Sequence, residues 1–412
     1  MSDSMPSADT GSFREILGVF LKLGVSSFGG PIAHLGYFRD ELVIRRKWID
    51  EAGYADLVAL CQFAPGPASS QVGFSLGVLR GGGLWGGVAA WLGFTLPSAV
   101  LLLAFALGAA YLRGPIALGV LHGLKLVAVA VVAQAVWGMA RSLAPDRPRA
   151  GIALAAVAPV TVLGGAWGQV LAIAVGALAG RVLCAAAPDA SPGRLGFPVS
   201  RGVALVSLLL FAALLVLPPA LATATGWQAL ALFDAFCRSG ALVFGGGHVV
   251  LPLLRTEVVE PGWITDQAFL AGYGAAQAVP GPLFTFAAYL GAVMLPAPNG
   301  VTGAAIALAA IFLPGLALVT GLLPFWDALR RQGAAQAAMR GANAAVVGIL
   351  GAALYDPVWT GAVMGPRDFA LALAGFLALT VWRAAPWMVV LALAAVGAAL
   401  GAILGAPLGS IA

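Results

Sequence analysis

Charge is what this chain has least of. Only 9% of its residues are Asp, Glu, Lys or Arg, while 61% are hydrophobic. Soluble domains carry roughly 25% charged residues, so a soluble fold is excluded. Acids are scarce inside the apolar runs, with Asp56, Asp234 and Glu257 near their ends. That argues against a cation pathway, which relies on buried carboxylates. The three cysteines, Cys61, Cys184 and Cys237, stand apart from one another. With no CxxC and no His/Cys cluster, neither a disulfide framework nor a metal site is expected. There is no Walker motif, so ATP is not the direct energy source, and no HExxH or Ser-His-Asp order. No catalytic residue and no cofactor is therefore expected, and the chain does not read as an enzyme. The cations stand singly between apolar runs, with no basic stripe interleaved with aromatics, so nucleic acid is not an expected partner. The polar N-terminus lacks the basic-then-apolar pattern of a cleaved signal peptide. The first span is expected to act as its own insertion signal.

What is abundant is long apolar sequence. Candidate spans are 15–38, 54–78, 84–110, 115–140, 150–166, 168–187, 201–222, 228–250, 267–293, 301–324, 338–355, 368–384 and 386–406. The expectation is an all-α polytopic membrane protein of about thirteen spans, with the lipid bilayer as its first partner.

The chain also says one unusual thing twice. Phe20, Gly24, Phe28-Gly29-Gly30, Arg39, Glu41, Trp48-Ile49, Gln62 and Pro65-Gly66-Pro67 recur in order. The second copy is Phe236, Gly240, Phe244-Gly245-Gly246, Arg255, Glu257, Trp263-Ile264, Gln277 and Pro280-Gly281-Pro282. Further on, Leu96-Pro97 matches Leu313-Pro314, and His122-Gly123 matches Arg340-Gly341. Two homologous repeats of about six helices each, joined by one linker helix, are expected. The boundaries are a polar tail at 1–12, a first repeat at 13–187, a linker loop and helix at 188–227, and a second repeat at 228–412. An odd number of crossings before the second repeat would invert it. The Lys/Arg distribution favours a cytoplasmic N-terminus, with Arg45-Arg46-Lys47 as the anomaly. That cluster would move inside if segment 15–38 dips in and returns. The glycines at 397, 401 and 405 form a close-packing face.

Each repeat carries two helix breaks. Pro31 lacks an amide donor and disfavours helix at Gly30, so one helix should stop near Phe28 and another start near Pro31. Phe244 to Gly247 plays the same part in the second half. Pro65-Gly66-Pro67 and Pro280-Gly281-Pro282 interrupt the next segments. Broken helices at membrane depth normally line a cavity or bind something, the alternative being simple kinking for packing, and a fresh helix N-terminus suits an oxyanion. Backbone amides near Gly29, Gly30, Gly245 and Gly246 are the candidate cradle. Ser27, Gln62, Ser69, Gln277 and Thr285 would add hydrogen bonds. Lys22 and its counterpart Arg238, with Arg39 and Arg255, would supply positive potential. His34 and His248 each follow a glycine-rich break and are candidates for titration coupled to transport. Lys125 stands alone in an apolar run.

The runs Phe28-Gly29-Gly30-Pro31-Ile32-Ala33-His34, Arg45-Arg46-Lys47-Trp48 and Gln62 to Gln71 resemble the first half of the chromate ion transporter (CHR) family. Phe244 to Leu253 and Ala276 to Thr285 resemble its second half, and the likeness covers essentially the whole chain in its long, two-domain bacterial form. The resemblance implies a multi-pass carrier of the bacterial plasma membrane. It would expel chromate, driven by the membrane potential or a coupling ion, and confer chromate resistance. Chromate is a tetrahedral dianion like sulfate, and the residues themselves do not separate the two. A homodimer is compatible with the sequence, which is otherwise silent on oligomeric state.

Overall fold

The computed structural model describes residues 10–109, 114–184, 197–244, 247–329 and 332–404. Most of the linker loop, most of the N-terminal tail and Gly405 lie outside the described residues. All regular structure among the described residues is helical. The first half comprises α1 (Phe13–Ser26), α2 (Gly30–Phe38), α3 (Glu51–Phe63), α4 (Ala68–Gly81), α5 (Leu84–Ala109), α6 (Pro115–Leu143), α7 (Arg147–Leu163) and α8 (Gly165–Leu183). The joining helix is α9 (Arg201–Thr225). The second half comprises α10 (Gln228–Ala241), α11 (Val250–Val258), α12 (Asp266–Ala276), α13 (Phe286–Val293), α14 (Gly300–Leu322), α15 (Trp326–Leu329), α16 (Gly333–Ala353), α17 (Pro366–Thr380) and α18 (Pro386–Leu404).

Among the described residues six helical stretches are long and apolar enough to cross a membrane: Leu84–Gly108, Pro115–Leu143, Arg201–Thr225, Gly300–Phe325, Gly333–Trp359 and Pro386–Ile403. The expected spans 15–38 and 54–78 are not single rods. Each is a helical hairpin whose two ends lie together. The Arg80 guanidinium, at the end of α4, pairs with Glu15 at the start of α1 (3.1 Å) and lies 5.6 Å from the ring of Trp48. The Gly11 N–H donates to the Arg80 carbonyl (2.8 Å). Both ends of residues 13–48 therefore lie at the same end of the helical assembly, and so do both ends of α3–α4. The anomalous cluster Arg45-Arg46-Lys47 thus lies at the same end as Gly11 and the start of α1. Hydropathy alone does not separate these arrangements, because an apolar hairpin and an apolar rod score alike. The second half repeats the design, the Leu295 N–H beyond α13 donating to the Trp263 carbonyl before α12 (2.9 Å).

The halves are interlocked. Within each, the early helices pack in the same scheme, α1 on α5 and α10 on α14, α4 on α5 and α13 on α14. The last two helices of each half instead pack on the other half. α6 lies against α17 and α18, and its equivalent α16 lies against α7 and α8. Glycines make the contact: a side chain at Gly119 would strike the Gly397 carbonyl, at Gly123 that of Leu393, and at Gly401 that of Pro115. On the other seam Gly341 meets Gly176, and Gly348 meets Ala153. Small residues let helix backbones approach where lipid offers no hydrophobic drive.

Candidate functional site: the crossing of the helix breaks

At the first break α1 ends at Ser26, and Gly29 and Gly30 take φ of 100° and 79°. A left-handed backbone is comfortable only for glycine. Pro31 then sits in the first turn of α2. At the second break Gly66 takes φ 126°, and its repeat equivalent Gly281 takes 96°.

The four breaks meet in reciprocal pairs. The Gly66 N–H donates to the Val243 carbonyl (2.7 Å), and the Gly281 N–H donates to the Ser27 carbonyl (2.8 Å). Ser27 and Val243 are equivalent residues, so the same bond is made twice, each time from one half to the other. A Cβ on Gly247 would lie 3.4 Å from Pro31 Cγ, which puts the two glycine-rich turns in van der Waals range. Gln71 Nε2 donates to the carbonyls of Pro65 (3.0 Å) and Gly315 (2.9 Å). Backbone groups freed by a break are in this way re-satisfied by protein.

The side chains around the crossing are unequal. In the first half His34 is fully buried, its Nδ1 hydrogen-bonded to Ser69 Oγ (3.3 Å) and its ring edge-on to Phe94. Ser27 Oγ, His34 Nε2, Ser70 Oγ, Gln71 Oε1, Ser75 Oγ and Thr95 Oγ1 are buried without a partner among the described residues. The equivalent positions in the second half are Val243, Val250, Thr285, Phe286, Leu290 and Phe312. Only Thr285 keeps a hydroxyl, and it donates to the Pro282 carbonyl (2.7 Å). His248 is held by the Tyr273 hydroxyl (2.6 Å). Polar atoms left unpaired in an apolar interior are costly, and native interiors leave few. Six such atoms lie on or beside α1, α2, α4 and α5 around the crossing. The sequence pattern of small hydroxyls in Ser69-Ser70-Gln71 and Ser75 was the signal for them.

The other expected site residues divide. Gly29 is exposed and Gly30 half-buried. Gly245 and Gly246 lie outside the described residues. Pro65, Pro67, Pro280 and Pro282 frame the crossing, while Gln62 is exposed and Gln277 half-buried. Lys22 requires correction. α1 buries Ile16, Val19, Phe20, Leu23 and Gly24, and Lys22 lies on the opposite, exposed face, away from the crossing. Arg238, its equivalent, is occupied by Asp234 (3.0 Å) and Glu257 (2.7 Å). Arg39 pairs with Glu51 (2.6 Å), and the equivalent Arg255 with the equivalent Asp266 (2.9 Å). These four cations do not form a free positive field at the breaks, because three are neutralised by carboxylates and one faces outward. The Asp234–Arg238 spacing, one helical turn, was a readable sign of pairing.

Sequence reading also missed a charged group outside the crossing. Lys125 is not alone: Asp368 of α17 lies within electrostatic range and bonds His122 at 2.8 Å.

Comparison with known proteins bears on this architecture. The profile of the family described as Chromate transporter matches twice, over residues 14–181 and 230–398. The chain belongs to the chromate transporter family. It is 30% identical to the chromate transport protein of Pseudomonas aeruginosa, over 93% of this chain and 91% of the relative. It is also 30% identical to the chromate transport protein of Cupriavidus metallidurans, over 84% and 83%. A probable chromate transport protein of Synechococcus elongatus is 31% identical, over 76% and 77%. No solved structure matches. Each match of the family profile contains one glycine-rich break and one Pro-Gly-Pro break. The chain is a multi-pass membrane protein of a transporter family.

Proposed function

We propose that the protein is a secondary carrier that exports chromate across the bacterial plasma membrane and so confers chromate resistance. The oxyanion occupies the crossing of the breaks and is held chiefly by the first half. The observation that carries this reading is the set of buried, unpaired polar atoms at Ser27, His34 and Ser70 beside the reciprocal Gly66–Val243 and Gly281–Ser27 bonds. Hydroxyls and an imidazole N–H donate to a tetrahedral anion without the strong charge that would prevent release.

The same reading makes 13–187 and 228–412 inverted repeats. If the α1–α2 and α3–α4 hairpins do not cross, α5 to α8 do, and α9 adds one more crossing. The second half then starts on the opposite side. Placing the N-terminus in the cytoplasm puts Arg45, Arg46, Lys47, Arg80, Arg141, Arg147, Arg149 and Arg201 inside, as positive-inside topology requires.

The test is labelled chromate flux in proteoliposomes holding the full-length protein, alongside chromate tolerance of a sensitive bacterial strain expressing it. Flux and tolerance that both depend on Ser70 and His34 support the reading. Membrane-inserted protein with neither removes it. Competition by sulfate at equal concentration would reassign the cargo to oxyanions in general.

A further inference from the structure

α6 carries two ionisable groups on one face, His122 and Lys125, a helical turn apart. Both are buried, at 5% and 8% exposure. Opposite them, in the first turn of α17, Asp368 is 2% exposed. Its Oδ1 accepts from His122 Nε2 (2.8 Å), and its Oδ2 accepts from the Met364 N–H (2.9 Å). Among the described residues Lys125 makes no ion pair of its own, and Asp368 is the carboxylate whose field reaches it. Ionisable residues inside a membrane span are rare and mark proton or substrate paths. None of the three belongs to the oxyanion crossing.

The cluster is single. The repeat equivalents of His122, Lys125 and Asp368 are Arg340, Asn343 and Ala150, a set without histidine or carboxylate. It also bridges the halves, since α6 belongs to the first and α17 to the second. On the other elements packed against α6, α18 has no titratable residue. α12 has Asp266, paired with Arg255, and Tyr273, bonded to His248. α16 has Arg340, and segment Leu354–Trp359 has Tyr355 and Asp356, both exposed. On α17 itself Arg367 is exposed.

We propose that His122, Asp368 and Lys125 form the proton-binding site of the carrier, one per chain, through which a proton gradient drives transport. The inference rests on the carrier reading above. The Asp368 carboxylate fixes the tautomer with the proton on Nε2, leaving Nδ1 to take one proton from solvent. That N–H bond alone is made, and the same bond is broken on release. With His122 neutral, Lys125 is the counter-charge of Asp368. With His122 protonated, imidazolium and ammonium compete for one carboxylate, and the α6–α17 contact is biased toward a second arrangement. The route to the crossing is short. The Leu124 carbonyl, beside Lys125, fills the space where Gly274 would carry a side chain. Gly274 lies on α12, which also bears Tyr273, the partner of His248, and leads directly into Pro280-Gly281-Pro282. A shift of α6 therefore bears on the second half's breaks through backbone contact.

The experiment compares two fluxes in proteoliposomes holding full-length protein. Chromate–chromate exchange at uniform pH needs a working carrier but no driving ion, whereas net chromate flux under an imposed proton gradient needs the coupling site. The expected result is that His122→Gln, Lys125→Met and Asp368→Asn keep exchange within about twofold of wild type, yet lose a gradient stimulation of about tenfold or more. Asp368→Glu should recover part of the stimulation. The three variants are read independently, so one that fails to insert does not hide the result. Gradient stimulation surviving in His122→Gln or Asp368→Asn overturns the proposal. So does exchange falling in parallel with net flux in all three, which is what a packing role alone produces. A wild-type protein that exchanges chromate but ignores the gradient overturns it too and leaves the carrier reading standing. Absence of wild-type exchange removes the carrier reading itself.

Discussion

Gly66 donates its amide to the carbonyl of Val243 across the interface between the two halves (2.7 Å). Its repeat equivalent, Gly281, makes the same bond to Ser27 (2.8 Å). Each break is thus pinned by the other half's break, and the proposed substrate site is framed by both at once.

Gly66→Ala and Gly281→Ala are the direct test of that frame. Both positions have φ in the left-handed region, and a Cβ would approach Gln71 Nε2 to 2.7 Å or Ser98 Oγ to 2.9 Å. Strain of about 1–3 kcal/mol is expected at each. The measurement is thermal unfolding in detergent together with chromate flux. Both should fall, with flux falling more than stability accounts for. Unchanged flux in both variants would show that the crossing does not frame the path.

The inequality of the halves makes a second prediction. Ser70→Ala removes a buried hydroxyl with no partner among the described residues, whereas Thr285→Val removes one already bonded to Pro282. A hydrogen bond to a charged ligand is worth about 1.5–3 kcal/mol, so Ser70→Ala should raise the KM for chromate about 10- to 100-fold. Thr285→Val should change it by less than about threefold. Equal effects would restore a symmetric cage.

The cations behave differently from one another. Lys22→Ala should leave flux within about twofold of wild type, because the side chain is exposed on the outer face of α1. Glu257→Gln should cost about 2 kcal/mol of stability by weakening the hold on Arg238. Thermal unfolding and flux on both variants check this. A large flux loss in Lys22→Ala at normal stability would return that lysine to the mechanism.

Sidedness follows from the hairpins. Thr10→Cys and Arg45→Cys, in a background with Cys61, Cys184 and Cys237 replaced, should react with an impermeant thiol reagent from the same side of the membrane. Both residues are exposed. Reaction from opposite sides would mean that segment 15–38 crosses.

The breaks were legible because their cause is local. Proline removes an amide donor and glycine admits a positive φ wherever they stand, so Gly29-Gly30-Pro31 and Pro65-Gly66-Pro67 announce themselves. The repeat was legible because the same words recur in order. The return of α2 to the side of α1 was not, since it depends on where Arg80 and Trp48 come together, sixty-odd positions after α1 begins in the case of Arg80. Pairings such as His122 with Asp368 were hidden for the same reason. A lone charge in an apolar run says that a partner exists, not which one. Lys22 and Arg238 are equivalent in sequence but not in partners: Asp234 is matched by Gly18, and Glu41, the equivalent of Glu257, pairs with Arg45 and Arg46 instead.

The exchange of terminal helices between the halves bears on how the chain is made. Gly119 and Gly123 of α6 present bare backbone to α18, and α18 is the last helix described. During synthesis that glycine seam has no occupant until α18 has left the ribosome. The N-terminal module is consequently finished by the C-terminal one, and a nascent chain halted before Pro386 would hold an open groove in the lipid rather than half a working carrier.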